Sequence, residues 1–395
     1  MEAFVGIDVG RNFHVYSVVS SAGQILGSGR FLSDGDSAEI FLATLRKFDI
    51  ALIGMEATGH YWRNLFHLLR QHGYTCRVLN PVITQYYRRM SLIRHKTDAV
   101  DAECIARYLA ATRPDGQELD PQSHEQLRAL ARLQATIAEQ ITSTINRLHQ
   151  LVDQSFPELT HHVPQLRSAK ALALLKRHPT ATSICRARRL ANLSYGRRGH
   201  HLGQEQATRL KKAAQSTAGH AQSPADELMI RQTVEQVLLL QKQEQELLTA
   251  MEELAQEIDS GLQYLLTIPG ISVKSAAAII GEIGNIEQFP SAKQLIGYVG
   301  CHPRFHSSGT KEGHAFMCKA GNKRLRRILW QCTIVAIKYN PLVKAHYEAK
   351  LAEGKRKMVA IGHCMAKLVR IVWAVQTYAE PFDPTGGSRL AAVRH

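Results

Sequence analysis

Residues 3–9 read Ala-Phe-Val-Gly-Ile-Asp-Val, an apolar run that carries one carboxylate, Asp8, near its end. Two similar runs follow, FHVYSVVS (13–20) and QILGSGRFL (24–32), joined through a Ser-Ser-Ala-Gly turn. Alternating and β-branched residues broken by glycine turns predict a meander of three short strands. Working outward, Ile40, Phe41, Leu45 and Phe48 recur at helical spacing over about 37–48. ALIGME (51–56) reads as a strand closing on Glu56, and HYWRNLFHLLRQHG (60–73) as a helix ended by glycine. YTCRVLN (74–80) is a further strand, after which TQYYRRMSLIRHKTDAVDAECIARYLAATR (84–113) is helical and basic.

Three antiparallel strands followed by helix, strand, helix and strand give the order of a ribonuclease-H-like α/β domain, with helices on both faces of a mixed sheet, over about 1–112. Four carboxylates fall within it: Asp8, Glu56, Asp98 and Asp101. Asp98 and Asp101 are spaced i, i+3 and share one helix face. If that helix crosses the sheet, the four converge as hard oxygen donors of the kind Mg²⁺ or Mn²⁺ selects, and a pair of such ions serves phosphoryl transfer. Taken singly, Asp98 and Asp101 equally suit a solvated helix start, and Glu56 a cap for the next helix. Asp8 is harder to dismiss, because a carboxylate within an apolar strand is costly to bury unpartnered. Nearby Arg94 and Lys96 are candidates for phosphate contact.

The chain of 395 residues has room for two or three domains at roughly 100–200 residues each. Its 49 Lys and Arg against 34 Asp and Glu give a formal charge of +15, which favours a polyanionic partner. The 7 cysteines form no CxxC pair or close Cys/His quartet, which argues against a disulfide framework or a structural zinc site. No secretory signal pattern and no apolar run of roughly 18 residues is apparent, so the expectation is a cytoplasmic protein with no membrane association.

A polar linker, PDGQELDPQS (114–123), precedes a helical middle region over 124–259. Leu130, Ile137, Ile141, Leu148 and Leu151 fall near heptad spacing, as do Val237, Leu240, Leu247, Met251, Leu254 and Ile258. These stripes predict coiled-coil helices, paired within the chain or between copies, or an ordinary bundle face. Between them, about 165–222 is basic and reads as a solvated polyanion-binding insertion or a charged surface excursion. A mainly α domain follows over 260–395. In LLTIPGISVKSAAAIIGEIGN (265–285) the Pro269-Gly270-Ile271-Ser272 turn has the pattern of a helix-hairpin-helix, whose amides can receive a DNA phosphate. Next, HSSGTKEG (306–313) holds Ser307 and Ser308 beside a glycine, a nucleophile candidate or a plain turn. Arg304, Lys319, Lys323, Arg324, Arg326 and Arg327 surround it as phosphate-contact candidates.

GIDVG, MEATGHYW, VLNP, KTDAVDAECIARYLA, TIPGIS, IGYVGCHPRFHSSGTKEG and KAGNKRLRRIL stand in one order along nearly the whole chain. In that order they resemble the DEDD transposases of bacterial insertion sequences, bridge-RNA-guided serine recombinases to which the Piv-type invertases are related. The resemblance implies a RuvC-like domain whose metal ligands are Asp8, Glu56, Asp98 and Asp101. It also implies that Ser308 becomes covalently joined to DNA, and that a coiled coil links the two domains. Composite sites across a dimer or tetramer, double-stranded target and donor DNA, and a guide noncoding RNA are further implications. Two departures stand out. The insertion at 165–222 is longer than the linker of compact members, and Cys318 stands where many relatives have serine. A RuvC-like hydrolytic nuclease using water, a Piv-type invertase, and a binding protein without activity are the alternatives.

Overall fold

The computed structural model describes residues 2–56, 61–79, 81–90, 97–113, 122–196, 198–220, 222–258, 261–304 and 316–385. The chain divides into two compact units, 1–119 and 120–395.

The first unit opens with β1 (Glu2–Val9), β2 (Phe13–Ser20) and β3 (Ile25–Leu32), the meander expected from the quoted runs. Then come α1 (Gly35–Leu45), β4 (Asp49–Glu56), α2 (Trp62–Gln71), β5 (Cys76–Leu79), α3 (Pro81–Met90) and α4 (Asp98–Thr112). The sheet order is β3-β2-β1-β4-β5. β1, β2 and β3 pair antiparallel, whereas β4 is parallel to both β1 and β5. One face buries Val5, Ile7, Phe41, Leu45, Ile53 and Leu69 with α1 and α2. The other face buries Phe4, Leu52, Ile105 and Leu109 under α4. The result is the mixed α/β sheet, helices on both faces, that the sequence predicts.

The second unit is helical. α5 (Gln122–Ser155) leads into α6 (Leu159–His162), α7 (Ala169–Arg177) and α8 (Ala181–Arg186), then a two-stranded hairpin of β6 (Ser194–Tyr195) and β7 (His200–His201), and α9 (Gln204–Gln215). α10 (Pro224–Ile258) runs back along α5. The two are antiparallel: the start of α5 and the end of α10 share one core through Leu127 and Met251, while Leu148, Val152, Ile230 and Val234 meet at the opposite end. Ile137, Ile141 and Leu240 fill the middle.

The segment between these helices differs from the expectation of a solvated excursion. Phe156, Leu159, Leu172, Leu174, Leu175, Ile184, Leu190, Leu193 and Leu210 make a core of their own against the α5/α10 end. It leaves and returns at one point. The His220 amide donates to the Gln154 carbonyl at 3.0 Å, and a Cβ on Gly219 would lie 2.3 Å from the Ser155 carbonyl oxygen.

The remaining elements are α11 (Gly261–Leu265), α12 (Val273–Ile283), α13 (Ala292–Val299), the short pair β8 (Pro303–Arg304) and β9 (Phe316–Met317), then α14 (Lys323–Tyr339), α15 (Pro341–Ala352) and α16 (Lys357–Tyr378). By length and composition α16 is apolar enough to cross a membrane, yet 56% of its apolar window is buried inside the fold. Met365, Leu368, Val372 and Val375 of α16 lie at 0% exposure in the core, so its apolarity serves packing.

Candidate functional site

The geometry of the carboxylates follows from two glycines. Gly6 of β1 and Gly54 of β4 are register partners across the parallel pair. A Cβ on Gly6 would stand 2.1 Å from the Ala102 carbonyl oxygen and 2.4 Å from the Ala106 nitrogen of α4. On Gly54 it would stand 2.7 Å from the Leu109 side chain. The backbone of α4 therefore lies directly on Gly6, and its Leu109 and Ile105 side chains fill the space over Gly54. Side chains alternate along a strand, so Asp8 and Glu56, two residues beyond each glycine, lie on the same face as α4. At the N-terminal end of α4, Asp98 lies one turn before Ala102 of the crossing point and Asp101 immediately before it. The helix starts there because Thr97 caps it, its hydroxyl accepting from the Val100 amide at 3.3 Å, and acidic residues in a first turn are favoured by the helix dipole. Asp8, Glu56 and Asp101 are half-buried, while Asp98 is exposed.

Two partners missed in the sequence come from α3. Thr84 Oγ1 donates to Glu56 Oε2 at 3.0 Å, and Arg88 Nη1 donates to Asp101 Oδ1 at 2.9 Å. Tyr87 of α3 also packs edge-on against Tyr108 of α4, with ring centroids 5.5 Å apart. Only the excess of basic and aromatic residues in TQYYRRM hinted at this docking. Among the described residues, no three His, Cys, Asp or Glu side chains stand close enough together to hold a metal ion. The donor chemistry nevertheless fits a hard cation: carboxylates from β1, β4 and α4 share one sheet face, and Mg²⁺ needs only one or two from the protein beside substrate phosphates and water. Cys104, one turn from Asp101, is no rival donor. Burial, then the charges of Asp101 and Glu103, push its thiol above the usual range.

Ser307 and Ser308 lie outside the described residues, as do Arg94 and Lys96. The strands that bracket the serine segment are described. β8 and β9 pair Pro303 with Met317 and Arg304 with Phe316, so residues 305–315 connect a closed antiparallel pair. Cys301, at the foot of that pair, is buried and its thiol is pushed up to about 11, chiefly by desolvation, so it stays protonated near neutral pH.

Of the flanking cations, Lys319, Lys323 and Arg324 are exposed. Arg326 turns inward and donates to the Val299 carbonyl at 2.9 Å. Arg327 pairs with Glu139 of α5. These last two thus have structural partners that a reading as phosphate contacts did not foresee.

Behind this basic edge lies a buried carboxylate that sequence reasoning passed over, Glu282 of α12, 1% exposed. Arg132 of α5 grips it with two bonds, Nε to Oε1 at 2.7 Å and Nη2 to Oε2 at 3.0 Å. Asn322 Nδ2 adds a third at 2.9 Å. Asn322 also caps α14, its side-chain oxygen accepting from the Arg324 and Leu325 amides. The start of α14, with Lys323 and Arg324, is thereby fixed to α5 and α12. Burial pushes the Glu282 carboxyl up, but the bonds from Arg132 and Asn322 and the charges of Arg132 and Arg128 outweigh it and hold it below its ordinary value.

Comparison with known proteins gives the family. A family model described as "Transposase", of the DEDD type of IS110 elements, matches residues 5–157. A second, described as "Transposase IS116/IS110/IS902 family", matches residues 262–348. The chain belongs to this transposase family, whose members are enzymes acting on DNA. It is 27% identical to the pilin gene-inverting protein of Moraxella bovis over 83% of this chain and 81% of that one. It is 24% identical to an uncharacterized 43.6 kDa protein of insertion element IS110 from Streptomyces coelicolor, over 97% and 96% of the two chains. A transposase for element IS1328 of Yersinia enterocolitica is 23% identical over 96% and 98%.

Proposed function

We propose that this protein is an RNA-guided DNA recombinase of an insertion sequence, working through a covalent phosphoserine. The observation that carries this reading is the placement of Asp8, Glu56 and the Asp98/Asp101 turn on one face and at one end of a mixed, ribonuclease-H-like sheet. The family's serine motif at Ser308 supports the covalent step. Ser308 Oγ attacks the phosphorus of a DNA phosphodiester. The Oγ–P bond forms and the P–O3′ bond breaks, the Oγ proton is passed on, and the leaving 3′ oxygen is protonated. The phosphoserine keeps the bond energy, so a second 3′-hydroxyl can reverse the step on another strand. Asp8, Glu56, Asp98 and Asp101 would hold Mg²⁺ or Mn²⁺, which, when bound, withdraws charge from the phosphate and leaving oxygens. Thr84 orients Glu56, and Arg88 holds Asp101 in place. The exposed Lys319, Lys323 and Arg324 are read as phosphate contacts, with Arg304, Arg94 and Lys96 further candidates. The helix-hairpin-helix turn at 269–272 and the coiled coil of α5 with α10 are read as DNA-anchoring and assembly elements of a dimer or tetramer. Target and donor duplexes are selected by pairing with the guide RNA.

The test uses donor and target duplexes, guide RNA and Mg²⁺, with protein–DNA adducts resolved on a denaturing gel. Wild type is expected to form an adduct, and Ser308→Ala and Asp8→Ala are expected to form none. An adduct that survives Ser308→Ala sinks the serine mechanism. Strand cleavage without any adduct in the wild type indicates instead a hydrolytic nuclease.

A further inference from the structure

From residue 158 on, the folded segment between α5 and α10 lies beyond the residues matched by either family model and takes no part in the chemistry described above. Residues 156–222 hold twelve Lys and Arg against two Glu, so ten of the fifteen net positive charges fall on 67 of 395 residues. Some of this charge is met locally: from α10, Glu244 pairs with Arg167 at 3.0 Å and Glu235 lies 3.9 Å from Lys176. Glu158 accepts from Thr217 Oγ1 at 2.6 Å and from the Ala218 amide at 2.8 Å, and Glu205 is paired with Arg209 one turn along α9.

The charge is concentrated further by the fold. Arg186 ends α8, Arg188 and Arg189 precede a single 3₁₀ turn at Leu190–Asn192, and Arg198, His200 and His201 belong to the β6/β7 hairpin. The hairpin folds back on that turn. The Leu202 amide donates to the Leu193 carbonyl at 3.0 Å and the Gly203 amide to the Ala191 carbonyl at 3.1 Å. All six of these basic and imidazole side chains are exposed. Among the described residues, the four arginines have no ion-pair partner. Beneath them, Leu190, Leu193 and Leu202 are at most 5% exposed and pin the hairpin to the core. Cations from α7 and α9 crowd the same segment: after desolvation, the charges of Arg177 and Lys211 hold His178 below its ordinary value. Self-repulsion of this kind within a well-packed unit is relieved by a polyanion, and arginines on a rigid support suit a phosphate backbone. Tyr195, whose ring lies 6.0 Å from that of His200, adds an aromatic surface to the hairpin.

We propose that the β6/β7 hairpin with Arg186, Arg188 and Arg189 is a second nucleic-acid-binding surface, which grips the phosphate backbone of a helical nucleic acid away from the reacting strand. The class of ligand rests on the family's action on DNA, but the surface is independent of the serine and carboxylate chemistry. It is tested by binding alone.

The full-length protein is titrated, in EDTA so that no chemistry occurs, against a random-sequence duplex DNA and a structured RNA hairpin, by fluorescence anisotropy across a salt series. The variant Arg188→Gln/Arg189→Gln/Arg198→Gln is compared with wild type and with Lys355→Gln/Arg356→Gln/Lys357→Gln. The second variant removes the same charge from exposed positions elsewhere. Each lost phosphate contact lowers the slope of log K against log salt by about 0.9 for duplex DNA. The hairpin variant is therefore expected to lose a slope of about 2.5 and on the order of 100-fold in affinity at 0.1 M salt, at the same melting temperature. The control variant is expected to change much less. Loss on the DNA arm identifies donor or target DNA as the occupant, and loss on the RNA arm identifies the guide. Equal loss in both triple variants, or no loss on either arm, overturns the proposal. A wild type that binds normally here yet forms no adduct would count against the serine mechanism only.

Discussion

Replacing Glu282 by Gln is the sharpest test of how the C-terminal half is built. The substitution keeps the shape but removes the charge that three donors share at 2.7, 2.9 and 3.0 Å. Removing one partner of a buried ion pair costs about 3–5 kcal/mol. The Arg132 side chain is 37% exposed and can turn to water, so its share of that loss is partly recovered, and about 2–3 kcal/mol is the fair expectation. For a unit of this size, each kcal/mol lowers the melting temperature by roughly 2–4 °C, so calorimetry should show a fall of about 4–12 °C. The effect has a definite pH signature. The Glu282 carboxyl is depressed in the folded state, so its stabilisation is complete above its unfolded value of about 4.5 and is lost as pH falls through the lower folded value. The gap between wild type and variant should be full at pH 6–7 and should narrow below about pH 4. A double cycle with Arg132→Met should return a coupling of at least about 1 kcal/mol. A melting shift under about 2 °C, a gap that widens in acid, or additive single effects would refute this account.

Three further outcomes follow. Gly6→Ala places a methyl group 2.1 Å from the Ala102 carbonyl oxygen. It should lift α4, destabilise the first unit by about 1–3 kcal/mol and abolish adduct formation, as read by thermal melts and denaturing gels. Arg88→Met removes the cation paired to Asp101. With repulsion among the carboxylates left unrelieved, Mn²⁺ followed by electron paramagnetic resonance should bind several-fold more tightly, and unchanged or weaker binding would dismiss Arg88 as a stand-in for the cation. Leu174→Ala in the segment between α5 and α10, at a position with 0% exposure, should lose about 2–5 kcal/mol. It should also expose that segment to proteolysis, whereas a purely solvated excursion would show no change.

The first unit was legible because each of its elements carries its own period. The runs around Asp8, Val18 and Phe31 alternate as strands do, and turn residues mark their ends. The close seat of α4 on the sheet was less visible. It depends on Gly6 and Gly54 being register partners, and sequence alone does not show register. In the second unit, the long stripes from Leu130 and Val237 were readable over many turns. The segment between them was not. Its helices of four to twelve residues are too short for a periodic stripe, and its core is assembled from scattered leucines with alanine filling between them. Glu282 was hidden for another reason: its partners Arg132 and Asn322 lie 150 and 40 residues away. Arg326 looked like its exposed neighbours because charge alone does not tell which side of a helix a residue occupies, and the Glu139 partner of the exposed Arg327 lies 188 residues away.

Because the chain leaves α5 at Ser155 and comes back beside it at Gly219, the intervening segment is tied to the helix pair as a purse is closed by its string. Its length costs little in loop closure, which depends only weakly on loop length, although its core also covers Leu148, Val152, Ile230 and Val234 of the helix pair. A deletion from 156 to 218 bridged by a few glycines should leave α5 and α10 in register through Ile137, Ile141 and Leu240, at the cost of exposing Val152, Ile230 and Val234. Such a position tolerates exchange, so one catalytic frame can carry attachments of different size without its two ends being redesigned.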